Sequence, residues 1–279
     1  MSLLLHELRV RRGAMVGWAL GLGLFLSLYT TIYRFLPAEV REMDVRALAF
    51  LNSLGIETFA TFEGFILGTA FNFAPLLVGL FGVIIGVGAL AGEEDEGMLE
   101  LLAALPVSRV RLLLAKAAAL FIAALVVMAV AGAIQAIVFT LWQIDTPVTA
   151  LDLFQVAVSH WLIAFVFITF SLFIGAYLPG RGAALATATT ALFVSFFGDN
   201  LAGMAPVLEP LQPFLPHAYF ENVVQMLTGE VAWRDVTILL ALGGGFLLAA
   251  VLSFRRRNLT VGAWPVSYTH LRAHETVLD

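Results

Sequence analysis

Two groups of residues in this chain have the chemical types and spacing from which sites are made. The first is the acidic run Glu93-Glu94-Asp95-Glu96-Gly97-Met98-Leu99-Glu100-Leu101-Leu102, which leads to Pro106-Val107-Ser108-Arg109. Such a compact acidic segment between long uncharged stretches is a handle that a partner could grip, which points away from an enzyme. The second group is Asn72, Gln135, His160, Asp199 and Asn200, each isolated in an apolar stretch. Polar side chains in such company are costly and often functional. Simple helical counting puts all five in the same half of their helices, where they could ring an outward-opening cavity. Hydrogen bonding between helices, worth about 0.6 kcal/mol on average in a membrane, is the simpler account of them, and Asp199 also suits an interfacial position. His160 and Asp199 offer a metal or proton relay only two groups, with no third at ligand spacing. Ser159 and His160 are neighbours pointing about 100° apart on a helix, so they form no ready dyad. The absence of cysteine excludes disulfides and thiolate metal sites.

These residues must be positioned by helices in a bilayer. The chain of 279 residues is 61% hydrophobic and 13% charged, with mean hydropathy +0.95. Soluble domains run nearer ~45–50% apolar and ~25% charged. No basic patch points to nucleic acid. A helix needs about 20 apolar residues to cross the hydrocarbon. Six windows qualify: 13–33, 71–91, 117–142, 153–178, 182–203 and 236–254. The fifth is the weakest, because Asp199 and Asn200 interrupt it. Ten-residue alternation of the membrane-barrel kind is missing, so the expected fold is all-α, a polytopic membrane protein with six transmembrane helices in one domain over residues 1–264.

Basic residues set the orientation. Arg9, Arg11, Arg12, Arg109, Arg111, Lys116, Arg181, Arg255, Arg256 and Arg257 fall on one side of the windows, ten in all, against Arg34, Arg41, Arg46 and Arg234 on the other. Both termini are therefore expected in the cytoplasm. Met1, Leu4, Leu5 and Leu8 recur at helical spacing and predict a short interfacial helix over 1–12. The segment Gly64–Ala70 has the composition to dip back into the bilayer. Pro206, Pro210, Pro213 and Pro216 forbid a long regular helix between the fifth and sixth windows.

Within the acidic run, Met98, Leu101, Leu102 and Leu105 lie at i, i+3, i+4 and i+7, while Glu93, Glu96 and Glu100 take another face. A helix over 93–105 follows, stopped by Pro106, with Ser108 placed to cap the next helix. Such an elbow could transmit a push into the second and third spans; a merely charged, solvated loop is the bland alternative. The pattern Glu-Glu-Asp-Glu-Gly-Met-Leu-Glu-Leu-Leu, then Pro-Val-Ser-Arg, then Leu-Leu-Leu-Ala-Lys116 resembles the stretch after the second span in permeases of type-2 ABC exporters. The six-span layout, Pro216-His-Ala-Tyr-Phe220 and the closing Phe254-Arg-Arg-Arg-Asn-Leu259 extend that resemblance. Met98 stands where Thr is commoner, and Asn258 where Asp is.

The resemblance implies a permease in the cytoplasmic membrane of a prokaryote, paired with a second permease chain, homo- or heterodimeric, and with two ATP-binding cassette subunits. It further implies that Glu93, Glu94, Glu96, Gly97, Leu99, Glu100, Leu102, Pro106, Val107, Ser108 and Arg109 couple the chain to the ATPase, with the N-terminal helix as a brace. ATP and Mg would sit on the partner. This chain's single lysine, Lys116, lies between alanines and not in a Gly-x₄-Gly-Lys-Ser/Thr loop, so no cofactor is expected on it. An intramembrane enzyme, or a membrane anchor or sensor that transports nothing, are the other classes compatible with six spans. Phe165, Phe167, Phe170 and Phe173 read as packing or as the wall of an apolar path. Finally, Val266–Thr276 resembles a frame translation of a transposon-based sequencing adapter, so 265–279 is expected to be a non-native tail and His270, His274 and Glu275 carry no functional weight.

Overall fold

The structure, a computed structural model, describes residues 3–42, 58–98, 107–178, 180–202, 205–224, 227 and 231–256. Among these, every regular element is a helix. Six are long and apolar enough to cross a bilayer: Leu3–Phe35, Phe62–Asp95, Arg109–Trp142, Ala150–Tyr177, Arg181–Ala202 and Trp233–Arg256, termed spans one to six. Each expected window lies on one of them and overruns it by at most one residue, although the helices themselves begin up to ten residues earlier. The proposed tail and the Arg257–Leu259 end of the family pattern lie outside the described residues.

Local side-chain caps explain where three of the six spans start. Thr61 accepts from the Gly64 amide at 3.2 Å and starts span two. Ser108 accepts from the Arg111 amide at 3.3 Å and starts span three, as its sequence position predicts. Thr149 and Asp152 form a reciprocal capping box that starts span four. Span four is two helices, Ala150–Ser159 and Trp161–Tyr177, hinged at His160. Past span five, the prolines hold Pro206–Phe214 in a 3-10 conformation, and a helix follows over Pro216–Val224.

Three expectations need correction. The interfacial helix over 1–12 is continuous with span one, which runs unbroken from Leu3 to Phe35. Gly13 alone cannot stop a helix, costing only about 1 kcal/mol, and no proline or cap intervenes. Gly64–Ala70 does not turn back: it is the start of span two, which runs straight through it. The helix over 93–105 is not one element either, because the chain leaves the helix at Glu96 and passes through Gly97 at φ +71°. That left-handed position suits glycine and ends a helix in the usual way.

Span two also carries two widened π turns, Leu67–Phe71 and Gly88–Gly92. The first ends at Phe71, the residue whose carbonyl Pro75 cannot bond and would crowd in a regular helix.

Spans running in the same direction pack side by side. Span one lies along span three for its whole length: a Cβ on Gly23 would touch Ile134 at 2.7 Å, and Trp142 donates to Thr31 at 3.0 Å. Span two lies along span four, where a Cβ on Gly86 would sit 2.9 Å from the Ile168 carbonyl. Such backbone-to-backbone approach needs small residues. Span four in turn contacts span six through Phe170 and Phe246, ring centroids 4.9 Å apart. Span five crosses back against span two, Phe73 meeting Phe196 at 6.0 Å.

Candidate coupling site

The ends of spans one, two and three meet in a closed ring of four charges. Glu7 and Arg11 lie one helical turn apart on span one. Glu93 is the first residue after the π turn Gly88–Gly92, and Lys116 lies two turns into span three. Lys116 Nζ donates to Glu7 Oε1 at 2.7 Å and to Glu93 Oε2 at 2.6 Å. Arg11 donates to Glu93 Oε1 at 2.9 Å and pairs with Glu7 Oε2. Each carboxylate thus faces both cations, each cation both carboxylates, and the ring is electrically neutral.

Lys116 is 0% exposed and Glu7 3%; Arg11 is 15% and Glu93 16% exposed. An ammonium this deeply buried is tolerable only with paired and hydrogen-bonded partners. The ring therefore fixes the relative placement of three helix ends, and it sits where the acidic run begins.

The rest of the acidic run faces span five. Asp95 Oδ2 accepts from the Arg181 amide at 3.1 Å, satisfying one of the unpaired donors at that helix's start. Glu96 approaches the Arg181 guanidinium at 3.9 Å, both side chains more than half exposed, so this contact contributes little. Glu94 is half-buried within the turn Glu93–Asp95, and Gly97 forms the exposed corner. Val107 leads to the Ser108 cap, and Arg109 opens span three. Leu99, Glu100, Leu102 and Pro106 lie outside the described residues.

Of the five polar residues in the spans, the structure brings two together: Asn72 donates to Asn200 at 3.4 Å. Asp199 accepts from Gln212 at 3.3 Å, which ties the end of span five to the proline segment. His160 Nδ1 meets the Val156 carbonyl at 2.8 Å, with its ring between Phe71 and Phe220. Gln135 is fully buried, and neither end of its amide finds a partner. Neither His160 nor Gln135 is hydrogen-bonded to the asparagine pair. Phe165 stacks on Trp161 and Phe170 packs on Phe246, so these two aromatic side chains serve as packing. Among the described residues no group of three His, Asp or Glu could hold a metal.

Two features escaped sequence reasoning. One is the ring itself: Lys116 is the chain's single lysine inside an apolar run, a signal that it needs a buried acid. The other is Ser195 with His217, whose Oγ and Nδ1 lie 2.7 Å apart, both residues buried. Ser195 also accepts from the His217 amide at 3.3 Å, so its hydroxyl caps the helix Pro216–Val224 from span five. Burial pushes the His217 imidazole down to about 3.

Six apolar helices in alternating direction, with an acidic segment emerging beside a buried charge ring, define a multi-pass membrane protein. The chain belongs to the ABC-2 family transporter proteins, whose family model matches residues 1–259. It is accordingly a membrane permease of an ATP-binding cassette transporter, a class that associates with ATP-binding cassette partners. No curated protein matches the chain.

Proposed function

We propose that this chain is the membrane half of an exporter in a prokaryotic cytoplasmic membrane. Two permease chains, alike or different, work there with two ATP-binding subunits. ATP and Mg bind to those partners; the permease holds no cofactor and carries out no hydrolysis. Closure of the ATPase pair displaces the segment from Glu93 to Arg109, and spans one to three respond together.

The observation that supports this reading is the Glu7–Lys116–Glu93–Arg11 ring. It joins both roots of the acidic loop to span one, so force on that loop cannot move one helix end alone. A loop tethered only by solvated charges would absorb the same push. The test is co-purification with a candidate ATP-binding cassette subunit from the same cell, using the double variant Glu96→Lys, Glu100→Lys. Loss of ATPase capture with an intact, monodisperse permease is the expected result. Capture and transport both at wild-type level would refute the docking role.

Among the described residues, the close Ser195–His217 pair is the feature that favours an enzyme. It is buried, however, and its hydroxyl already accepts from the His217 amide. Hydrolytic activity of the purified chain alone, abolished by Ser195→Ala, would revive that alternative.

A further inference from the structure

We propose that the groove between the last turns of spans four and six binds the phosphate of an anionic phospholipid. The groove has a volume of about 330 Å³ and is lined by Ala176, Tyr177, Leu252, Ser253 and Arg256. Its polar groups are the Tyr177 phenol, the Ser253 hydroxyl and the Arg256 guanidinium. All three are donors, and among the described residues none is engaged by another polar group. Three residues with donor groups lining one concavity, one of them cationic, fit a phosphate.

Position selects lipid over a soluble anion. Both helices finish here, span four at Tyr177 and span six at Arg256, so the groove opens at the level where headgroups lie. Below it the surface turns apolar. Leu248 and Leu252, one turn apart on span six, are 60% and 44% exposed and form a rail along which an acyl chain can run. Further along the same two helices, Phe170 and Phe173 pack on Phe246 and hold spans four and six together. A donor-rich mouth over an aliphatic rail matches an amphiphile, not a free ion.

Charge selects an anionic headgroup. Two helix C-termini contribute partial negative charge here, which disfavours any anion unless cations outweigh it. Arg255 and Arg256 in the last turn of span six do so, and basic pockets between helices at a membrane surface are a recurrent form of headgroup site. Of the two, only Arg256 lines the groove.

The experiment is native mass spectrometry of the full chain in detergent, titrated with phosphatidylglycerol or phosphatidylcholine. Wild type retains phosphatidylglycerol in preference. Arg256→Gln weakens retention by about fivefold, Tyr177→Phe weakens it without altering charge, and Arg255→Gln stays within about twofold of wild type. If Arg256→Gln does not fold, Tyr177→Phe carries the comparison. Equal losses in both arginine variants would mean diffuse charge attraction and overturn the site. So would unchanged retention in Arg256→Gln and Tyr177→Phe. Displacement by glycerol phosphate at lipid-like concentrations would assign the groove to a soluble anion and overturn the lipid. The ATPase is absent from this measurement, so its outcome is independent of the exporter reading.

Discussion

Replacing Lys116 with methionine keeps the length and the apolar stem of the side chain and removes only the charge. In the native ring the ammonium lies 2.7 Å and 2.6 Å from two carboxylates. At an effective dielectric near ~20, each contact is a gross attraction of about 6 kcal/mol. Desolvation of the buried Lys116 and Glu7 and of the largely covered Glu93 offsets most of that sum. The net loss on truncating one member of such a network is about 3–5 kcal/mol, because the uncompensated partners remain buried. After Lys116→Met, Glu7 and Glu93 share Arg11 alone and the site carries one net negative charge. At about 2–4 °C per kcal/mol, the thermal midpoint of the purified permease should fall by about 6–20 °C. The double variant Lys116→Met, Glu93→Gln restores neutrality and leaves the Glu7–Arg11 pair intact, so it should recover most of the midpoint. Its ATPase coupling should remain impaired, since the second span is then untied from the third. Thermal unfolding of the three proteins, followed by ATPase stimulation in reconstituted complexes, checks both halves. An unshifted midpoint in Lys116→Met, or a double variant worse than the single one, would refute the neutral-ring argument.

Two further outcomes follow from backbone geometry. Gly86→Leu forces a side chain into the Ile168 carbonyl and the Ser171 Cβ, which a Cβ alone would already meet at 2.9 Å and 2.7 Å. It should destabilise by about 1–3 kcal/mol, read as a lower thermal midpoint, whereas Gly88→Leu, with nothing within 4 Å of its Cβ, should not. Gly97→Ala meets no steric obstacle but strains the φ +71° corner by about 1–2 kcal/mol; proteolysis between Glu96 and Arg109 should accelerate, and the thermal midpoint should fall by no more than about 2–8 °C.

The spans were legible because an unbroken apolar window of about 20 residues matches the thickness of a bilayer and little else. Even span five, interrupted by Asp199 and Asn200, proves helical to Ala202, its polar end satisfied by Gln212 and Asn72. Boundaries were less legible where helix runs on beyond the apolar window. Span one continues back through Arg12 to Leu3, and span two begins nine residues before Phe71 with a charged Glu63 in its first turn. Sequence periodicity counted Glu93 with Glu96 and Glu100 as one face of one helix. Gly97 breaks that helix, so Glu93 turns inward to Lys116 while Asp95 and Glu96 face Arg181. The ring was hidden for a different reason: its contacts join residues 109, 82 and 23 positions apart, and no local pattern encodes such a meeting. Lys116 carried the one available hint.

The side-by-side packing of spans one and three has a consequence for biogenesis. Consecutive spans enter a membrane as hairpins, yet here the first helix finds its main neighbour only after a second has been threaded the other way. Glu7 must wait for Lys116, 109 residues later, which at about 5–20 residues per second of synthesis is some 5–20 s. Until then its carboxylate has only Arg11 one turn away, and the nascent N-terminus is best kept at the water's edge. The arginines that follow Glu7 would hold it there, so the start of the chain is drawn into its buried place only when the third helix arrives.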